Sequence, residues 1–171
     1  MNKTIIIMGN GPSLANVNFD DLEGCDTFGL NSAYRAYYRM DWWPTYHGCF
    51  DYRVTDNHKE SFLSLMETKK IQQHFYIRSF PNRENYTHIN LLPYGTTDRM
   101  NNSTKDFKKF HDNGNSGANA CSVAVCLGYK KIILLGVDCN YVEFVDGSKR
   151  DGPGGLVMEV NLYVYNFLYL E

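Results

Sequence analysis

An apolar run and a sharp polar turn open the chain. Residues 3–8 contain three consecutive isoleucines and show no polar alternation, and residues 9–13 (GNGPS) follow at once. An unbroken apolar run of this length is typical of a strand buried on both faces of a parallel sheet. The proline in the turn suits the first position of a helix, because its φ is already fixed near the helical value. The pattern therefore predicts a strand, a glycine turn and a short helix.

The same succession continues along the chain. Four more apolar segments predict strands, namely 26–31, 44–50, 74–80 and 130–138. Three segments predict helices, namely 32–40, 55–70 and 116–129. In the last of these Gly128 supplies a helix stop. Regular alternation of strands and helices favours an α/β fold, Rossmann-like, with a mostly parallel sheet flanked by helices. We expect a single domain over residues 1–171.

Two segments depart from this alternation. Residues 81–112 are polar and rich in asparagine, which predicts an irregular surface excursion or lid. Residues 154–171 are densely apolar and contain no basic residue. Two interpretations of this tail stay open. It is a last strand or helix packed on the core, or else it is an interface or the end of a chain that is truncated or divergent here.

Composition excludes some classes of protein. The net charge is −2 and no basic run occurs, so nucleic acid is not an expected partner. The chain has five cysteines without metal-site spacing, which predicts reduced thiols and a cytoplasmic location. No run reaches the roughly 20 apolar residues of a transmembrane helix. Peripheral membrane association, and a homo-oligomer formed through the aromatic tail, stay open.

Polar residues and glycines follow several predicted strands at the point where each ends. In a doubly wound sheet these ends share one edge, where ligands bind. Glycines let a phosphate approach the backbone, and a helix start offers free N–H groups. Asn31 lies about 20 residues past the first turn, where dinucleotide-binding folds keep a ribose partner. We predict a nucleotide site formed by Gly9, Asn10, Gly11, Pro12, Ser13, Asn31, Ser32, Asp51, Ser116, Gly117 and Asp138.

The known glycine-rich motifs are incomplete in the first turn. Leu14 stands where the dinucleotide fingerprint has its third glycine, and no Gly-Lys-Ser/Thr closes a P-loop. The turn therefore has two interpretations, a phosphate cradle or a structural corner. For Asp51 a turn role is an equal alternative to ligand binding.

Three blocks, IIIMGNGPSL, GLNSAYR and SGANACSVAVCLGYKKIILLGVD, resemble bacterial sialyltransferases of glycosyltransferase family 42 over roughly residues 3–140. The first block is also shared with motility-accessory-factor glycosyltransferases and an archaeal pterin pyrophosphokinase. The resemblance implies a glycosyltransferase-A-like variant of the fold that binds a CMP-sugar donor, CMP-sialic acid, and transfers the sugar to an acceptor glycan.

The resemblance also implies particular donor contacts. These are Asn10, Asn31, and Ser116 with Gly117, while Asp51 stands where the family commonly has asparagine. Tyr141 lies near the position where the family directs tyrosine hydroxyls at the departing phosphate; a packing tyrosine is the alternative.

Neither a metal nor another cofactor is expected. The chain contains no Asp-x-Asp, which commonly holds a divalent ion on a diphosphate. A CMP donor has a single phosphate, whose charge helix N-termini and hydroxyls can meet.

The catalytic base is not identified by the sequence. Histidine suits removal of the acceptor proton near neutral pH, but no histidine follows His111, whereas the family base comes later. For His111 we favour a surface loop, and for His47 the core. Two further hypotheses stay open: a pyrophosphokinase-like enzyme using ATP and magnesium, and a nucleotide-binding module without activity.

Three arginines could pair with a phosphate or carboxylate, namely Arg35, Arg39 and Arg53. Arg35 and Arg39 are four residues apart in a predicted helix, and for them we favour a solvated helix face.

Overall fold

A sheet of six parallel strands forms the centre of the structure, a computed structural model that describes residues 3–92, 107, 110–137, 144–145 and 148–149. The strands are β1 (Thr4–Met8), β2 (Asp26–Leu30), β3 (Tyr46–Cys49), β4 (Gln73–Tyr76), β5 (Tyr86–His88), β6 (Leu91–Leu92), β7 (Phe110–His111), β8 (Lys131–Leu135), β9 (Phe144–Val145) and β10 (Ser148–Lys149). The order in the central sheet is β5-β4-β3-β2-β1-β8. Two small pairs, β6 with β7 and β9 with β10, complete the described strands.

The strand order places a topological switch beside β1. From β1 the chain adds strands in one direction as far as β5, and it then returns to pair β8 with the other side of β1. Connections on the two sides of such a point diverge and leave a crevice at the carboxyl ends of the strands. The predicted Rossmann-like α/β fold is confirmed.

Helices cover both faces of the sheet. They are α1 (Tyr34–Met40), α2 (Tyr52–Asn57), α3 (Lys59–Glu67) and α4 (Ser116–Cys126), with 3-10 helices at Pro12–Asn16, Phe19–Leu22 and Asn31–Ala33. The end of α4 is followed by Gly128 with φ +89, a left-handed conformation that glycine adopts without steric cost. The helix predicted over 55–70 is instead the pair α2 and α3, which meet at His58.

Side chains alternate between the two faces, as the pleat of a strand requires. On one face Ile5, Ile7 and Phe28 pack with the buried side of α4. On the other face Cys49 and Tyr76 pack with α1 and α3. Strand β1 is therefore buried on both sides, which explains its unbroken apolar sequence.

The segment predicted to be an irregular excursion contains part of the core. Tyr86–His88 forms the edge strand β5, and Ile89 and Phe110 are almost fully buried. In this segment single apolar residues stand among polar ones. The reason is that β5 is short and lies at the edge of the sheet, next to β4 only. Residues 93–106 and the tail 154–171 lie outside the described residues.

The four cysteines among the described residues are free thiols. Within the same part of the chain, helices of the length and apolarity needed to cross a membrane do not occur.

Candidate functional site

A cleft of about 580 Å³ opens at the carboxyl-terminal edge of the sheet. Its walls come from residues 8–19, which follow β1, and from residues 32–42, which follow β2 and include α1. The volume is within the range of small-molecule sites, roughly 300–1,000 Å³. Five of the predicted site residues line it, namely Gly9, Asn10, Gly11, Pro12 and Ser32.

The glycine turn itself is held by the last residue of strand β8 and by the residue that follows it. The N–H of Gly9 donates to the carbonyl oxygen of Leu135 at 2.8 Å, and that of Gly11 donates to Gly136 at 2.8 Å. A Cβ on Gly9 would collide with the carbonyl of Gly136, so this glycine permits a close approach of two backbones. Both amides already have partners, which favours the structural-corner interpretation for Gly9 and Gly11.

The asparagines at the ends of β1 and β2 are linked through the backbone. The Nδ2 of Asn10 donates to the carbonyl oxygen of Leu30 at 3.3 Å. The next residue, Asn31, has φ 53, a left-handed conformation that asparagine adopts more readily than most residues. Its Oδ1 is buried and has no hydrogen-bond partner in the described part of the chain, an uncommon state for a polar atom in a native structure. Asn31 borders the cleft segment 32–42 without lining the cleft itself.

Two arginines give the cleft its charge. Arg35 and Arg39 lie four residues apart on α1, and both line the cleft. Neither forms a salt bridge with any residue that the structure describes. The side chains are exposed, as the solvated-face interpretation requires, but they also face a shared cavity. Two guanidinium groups without carboxylate partners can bind phosphate or carboxylate in bidentate fashion.

An aromatic wall closes the cleft beyond the arginines. Phe19 and Trp42 meet edge to face with their ring centroids 4.8 Å apart, the ring centroids of Tyr37 and Trp42 lie 6.3 Å apart, and all three residues line the cleft. Sequence reasoning missed this wall. Phe19 and Trp42 are far apart in the chain, and no local spacing pairs them.

Ser116 and Gly117 are not brought to the cleft. They are the first residues of α4, which packs on the opposite face of the sheet from α1. The start of α4 is capped by Asn115, whose Oδ1 accepts from the N–H of Ala118 at 2.8 Å.

The remaining predicted residues lie elsewhere. Asp51 caps α2 by accepting from the N–H of Arg53 at 2.8 Å and of Val54 at 3.1 Å, and it does not line the cleft. Ser13 is exposed beside the cleft. Asp138 and Tyr141 lie outside the described residues.

The buried histidines belong to the core. Burial lowers the pKa of His47 to about 3 and the pKa of His74 to about 4, so both rings are neutral near pH 7. The prediction that His47 is a core residue is confirmed. The surface-loop prediction for His111 is wrong, because this residue lies in β7 and is 8% exposed.

The described lining of the cleft contains no histidine, aspartate or glutamate. Among the residues that the structure describes, no group of three His, Cys, Asp or Glu side chains is arranged to hold a metal ion. No family model matches the chain, and neither a curated protein nor a solved structure matches it.

Proposed function

We propose that this chain is a nucleotide-sugar-binding domain of the glycosyltransferase type, which holds a CMP-sugar donor in the cleft between the first turn and α1. The observation that carries the proposal is the pair Arg35 and Arg39, two guanidinium groups without ion-pair partners among the described residues, on the wall of a cavity of about 580 Å³. The cavity lies at the edge where doubly wound sheets bind ligands. The resemblance of the three sequence blocks to CMP-sugar transferases supports the choice of donor.

The residues have distinct roles in this proposal. Arg35 and Arg39 bind the phosphate and the sugar carboxylate of a CMP-sialic-acid-type donor. Asn10 and Ser32 offer neutral hydrogen-bonding groups to ribose or sugar hydroxyls. Gly9 and Gly11 shape the rim, since their N–H groups are bound to β8.

A second candidate is a nucleotide-binding module without transferase activity. It is favoured by the lack of a general base in the described lining of the cleft. Both candidates bind the donor, and only the first turns it over. Release of CMP from the donor by the purified chain separates them.

Calorimetry without metal tests the donor assignment. We expect CMP and CDP to bind more tightly than AMP, GMP or UMP. Equal affinity for all five nucleotides would refute a CMP-type donor. Binding of ATP that requires magnesium would favour the pyrophosphokinase-like alternative.

Paired arginine variants test the site. Removing two charged hydrogen-bonding groups in Arg35→Ala/Arg39→Ala lowers the CMP affinity by about tenfold or more. The matched control is Arg53→Ala, since Arg53 lies on α2 and does not line the cleft. Equal loss of affinity in both variants would place the nucleotide elsewhere.

A further inference from the structure

A chain of hydrogen bonds through three buried side chains runs from strand β4 to Asn31, the residue directly before the cleft segment 32–42. The Nδ1 of His74 lies 3.0 Å from the hydroxyl of Tyr76, and this hydroxyl lies 2.8 Å from the Nδ1 of His47. The Nε2 of His47 lies 3.0 Å from the carbonyl oxygen of Asn31. The three side chains of this relay, His74, Tyr76 and His47, are each 0% exposed.

The direction of every hydrogen bond in the relay can be assigned. The carbonyl oxygen of Asn31 can only accept, so the proton of neutral His47 is on Nε2. Its Nδ1 then accepts from the hydroxyl of Tyr76. The oxygen of Tyr76 is left to accept from the Nδ1–H of His74. This arrangement leaves a lone pair on the Nε2 of His74, a buried nitrogen that has no hydrogen-bond partner among the described residues.

The relay ends at Asn31, a residue whose backbone conformation affects the position of the cleft segment 32–42. It is the first residue after β2 and the first of the 3-10 helix Asn31–Ala33, and its left-handed backbone (φ 53) sets the direction of the segment that follows. That segment carries Ser32 and, one turn later, Arg35. Left-handed backbone is unfavourable for a residue with a Cβ and persists where surrounding contacts impose it.

We propose that His47 is a positioning residue of the cleft: as the Nε2–H tautomer fixed by Tyr76 and His74, it holds Asn31 left-handed and so places the α1 wall with its arginines. The ligand role of this wall rests on the proposed function, whereas the tautomers and the backbone of Asn31 do not. Burial of both rings keeps them neutral, which agrees with the assigned protons.

Two substitutions of His47 separate positioning from packing. His47→Gln keeps an N–H donor near the position of Nε2, and His47→Leu removes it. We expect CMP affinity within about threefold of the parent for His47→Gln and a loss of about tenfold for His47→Leu. The control is Leu65→Ala, because Leu65 is fully buried in the apolar cluster that contains Tyr76 but is not part of the relay. We expect this variant to lower the melting temperature and to leave the CMP affinity within about twofold of the parent. Equal loss of affinity in His47→Gln and His47→Leu, or in Leu65→Ala, would overturn the positioning role.

Nitrogen NMR of the parent protein tests the relay without any ligand. The expected result is a protonated Nε2 on His47 and a protonated Nδ1 on His74. A protonated Nδ1 on neutral His47 would refute the assignment. If His47→Leu does not fold, Tyr76→Phe removes the hydroxyl at the centre of the relay and serves in its place.

The backbone of Asn31 distinguishes failure of this inference from failure of the proposed function. NMR coupling constants and carbon chemical shifts report whether the backbone of Asn31 is left-handed. If His47→Leu loses the values typical of a left-handed backbone, the inference is supported even if CMP does not bind the parent protein. Unchanged backbone signals of Asn31 in a folded His47→Leu would overturn it, whatever the affinity for CMP.

Discussion

The two edges of the central sheet carry polar side chains in opposite states. At the amino-terminal edge Lys3 lies 2.9 Å from Asp26, and the hydroxyl of Tyr129 donates to the same carboxylate at 2.6 Å. The hydroxyl of Tyr46 lies 3.1 Å from that of Tyr129. Each polar group in this cluster has a partner. At the carboxyl-terminal edge Arg35 and Arg39 have no ion-pair partner among the described residues, and within the same part of the chain the buried Oδ1 of Asn31 has no hydrogen-bond partner.

The difference separates stability from binding. A satisfied cluster lowers the free energy of the folded chain and offers nothing to a ligand. The exposed arginines beside the cleft contribute little to folding and leave their hydrogen-bonding capacity for a ligand, whereas the buried Oδ1 of Asn31 costs the folded chain stability. We therefore expect substitutions at the amino-terminal edge to change stability, and substitutions of the cleft arginines to change affinity.

Acid titration gives the largest expected effect on stability, and it separates the buried histidines from the amino-terminal edge by pH. His47 and His74 have pKa values of about 3 and 4 when folded, against about 6.5 when unfolded. Below about pH 6.5 the unfolded chain therefore takes up protons that the folded chain does not. The free energy of unfolding then falls by up to about 1.4 kcal/mol per pH unit for each histidine. Urea denaturation between pH 7 and pH 4 measures this slope.

The contribution of Asp26 to the free energy of unfolding changes at a lower pH than that of the histidines. Burial opposes its ionisation, but hydrogen bonds from Tyr129 and Lys3 outweigh burial and lower its pKa. Its contribution to stability is therefore present above about pH 4 and is lost as the pH falls through the folded pKa. We expect His47→Gln/His74→Gln to flatten the slope between pH 6 and pH 4.5, whereas Asp26→Asn keeps it. A double variant with the parent slope would refute the histidine origin.

The glycine turn gives the next effect, and it tests which contacts hold the carboxyl-terminal edge. Gly9→Ala places a methyl group against the carbonyl of Gly136, so β1 and β8 must separate locally. We expect a loss of about 1–3 kcal/mol in the free energy of unfolding, measured without nucleotide. The control is Gly117→Ala, where the added Cβ meets only the Oδ1 of Asn115 at 3.4 Å and alanine favours the helix. If Gly9→Ala has the same free energy of unfolding as the parent, the phosphate-cradle interpretation of this glycine would be favoured instead.

The sequence predicted the central elements because their signals are local. The isoleucine run of β1 and the small-residue helix with its Gly128 stop need no information from distant residues. The edge strand Tyr86–His88 was missed because three residues in a polar stretch become a strand only by pairing with β4.

The candidate site was predictable in part, for a similar reason. The rule of strand ends grouped Asn10 with Ser32, which follow neighbouring strands, and both residues line the cleft. It does not say on which face of the sheet the next helix packs, so Ser116 was grouped with them although α4 lies on the opposite face. The spacing of Arg35 and Arg39 placed them on one side of α1, but what that side faces depends on the turn after β1.

The amino-terminal cluster gives a smaller loss of stability. Tyr129→Phe removes the hydroxyl that donates to Asp26, and we expect the free energy of unfolding to fall by about 1–2 kcal/mol at pH 7. CMP affinity stays within about twofold of the parent. Tyr46→Phe is the milder control, since its hydroxyl contacts only that of Tyr129 within the described cluster. A marked loss of affinity in Tyr129→Phe would mean that the two edges are coupled.

The arginines of the cleft give the smallest change in stability. Arg35 and Arg39 are exposed, and neither has an ion-pair partner among the described residues, so Arg35→Ala and Arg39→Ala each change the free energy of unfolding by no more than about 0.5 kcal/mol. Urea denaturation beside CMP calorimetry on the same samples gives both quantities. A loss above about 1 kcal/mol would show that an arginine supports the fold, and reduced affinity would then reflect a displaced α1. If the free energy of unfolding is unchanged and the CMP affinity falls, these guanidinium groups bind the ligand and do not stabilise the fold.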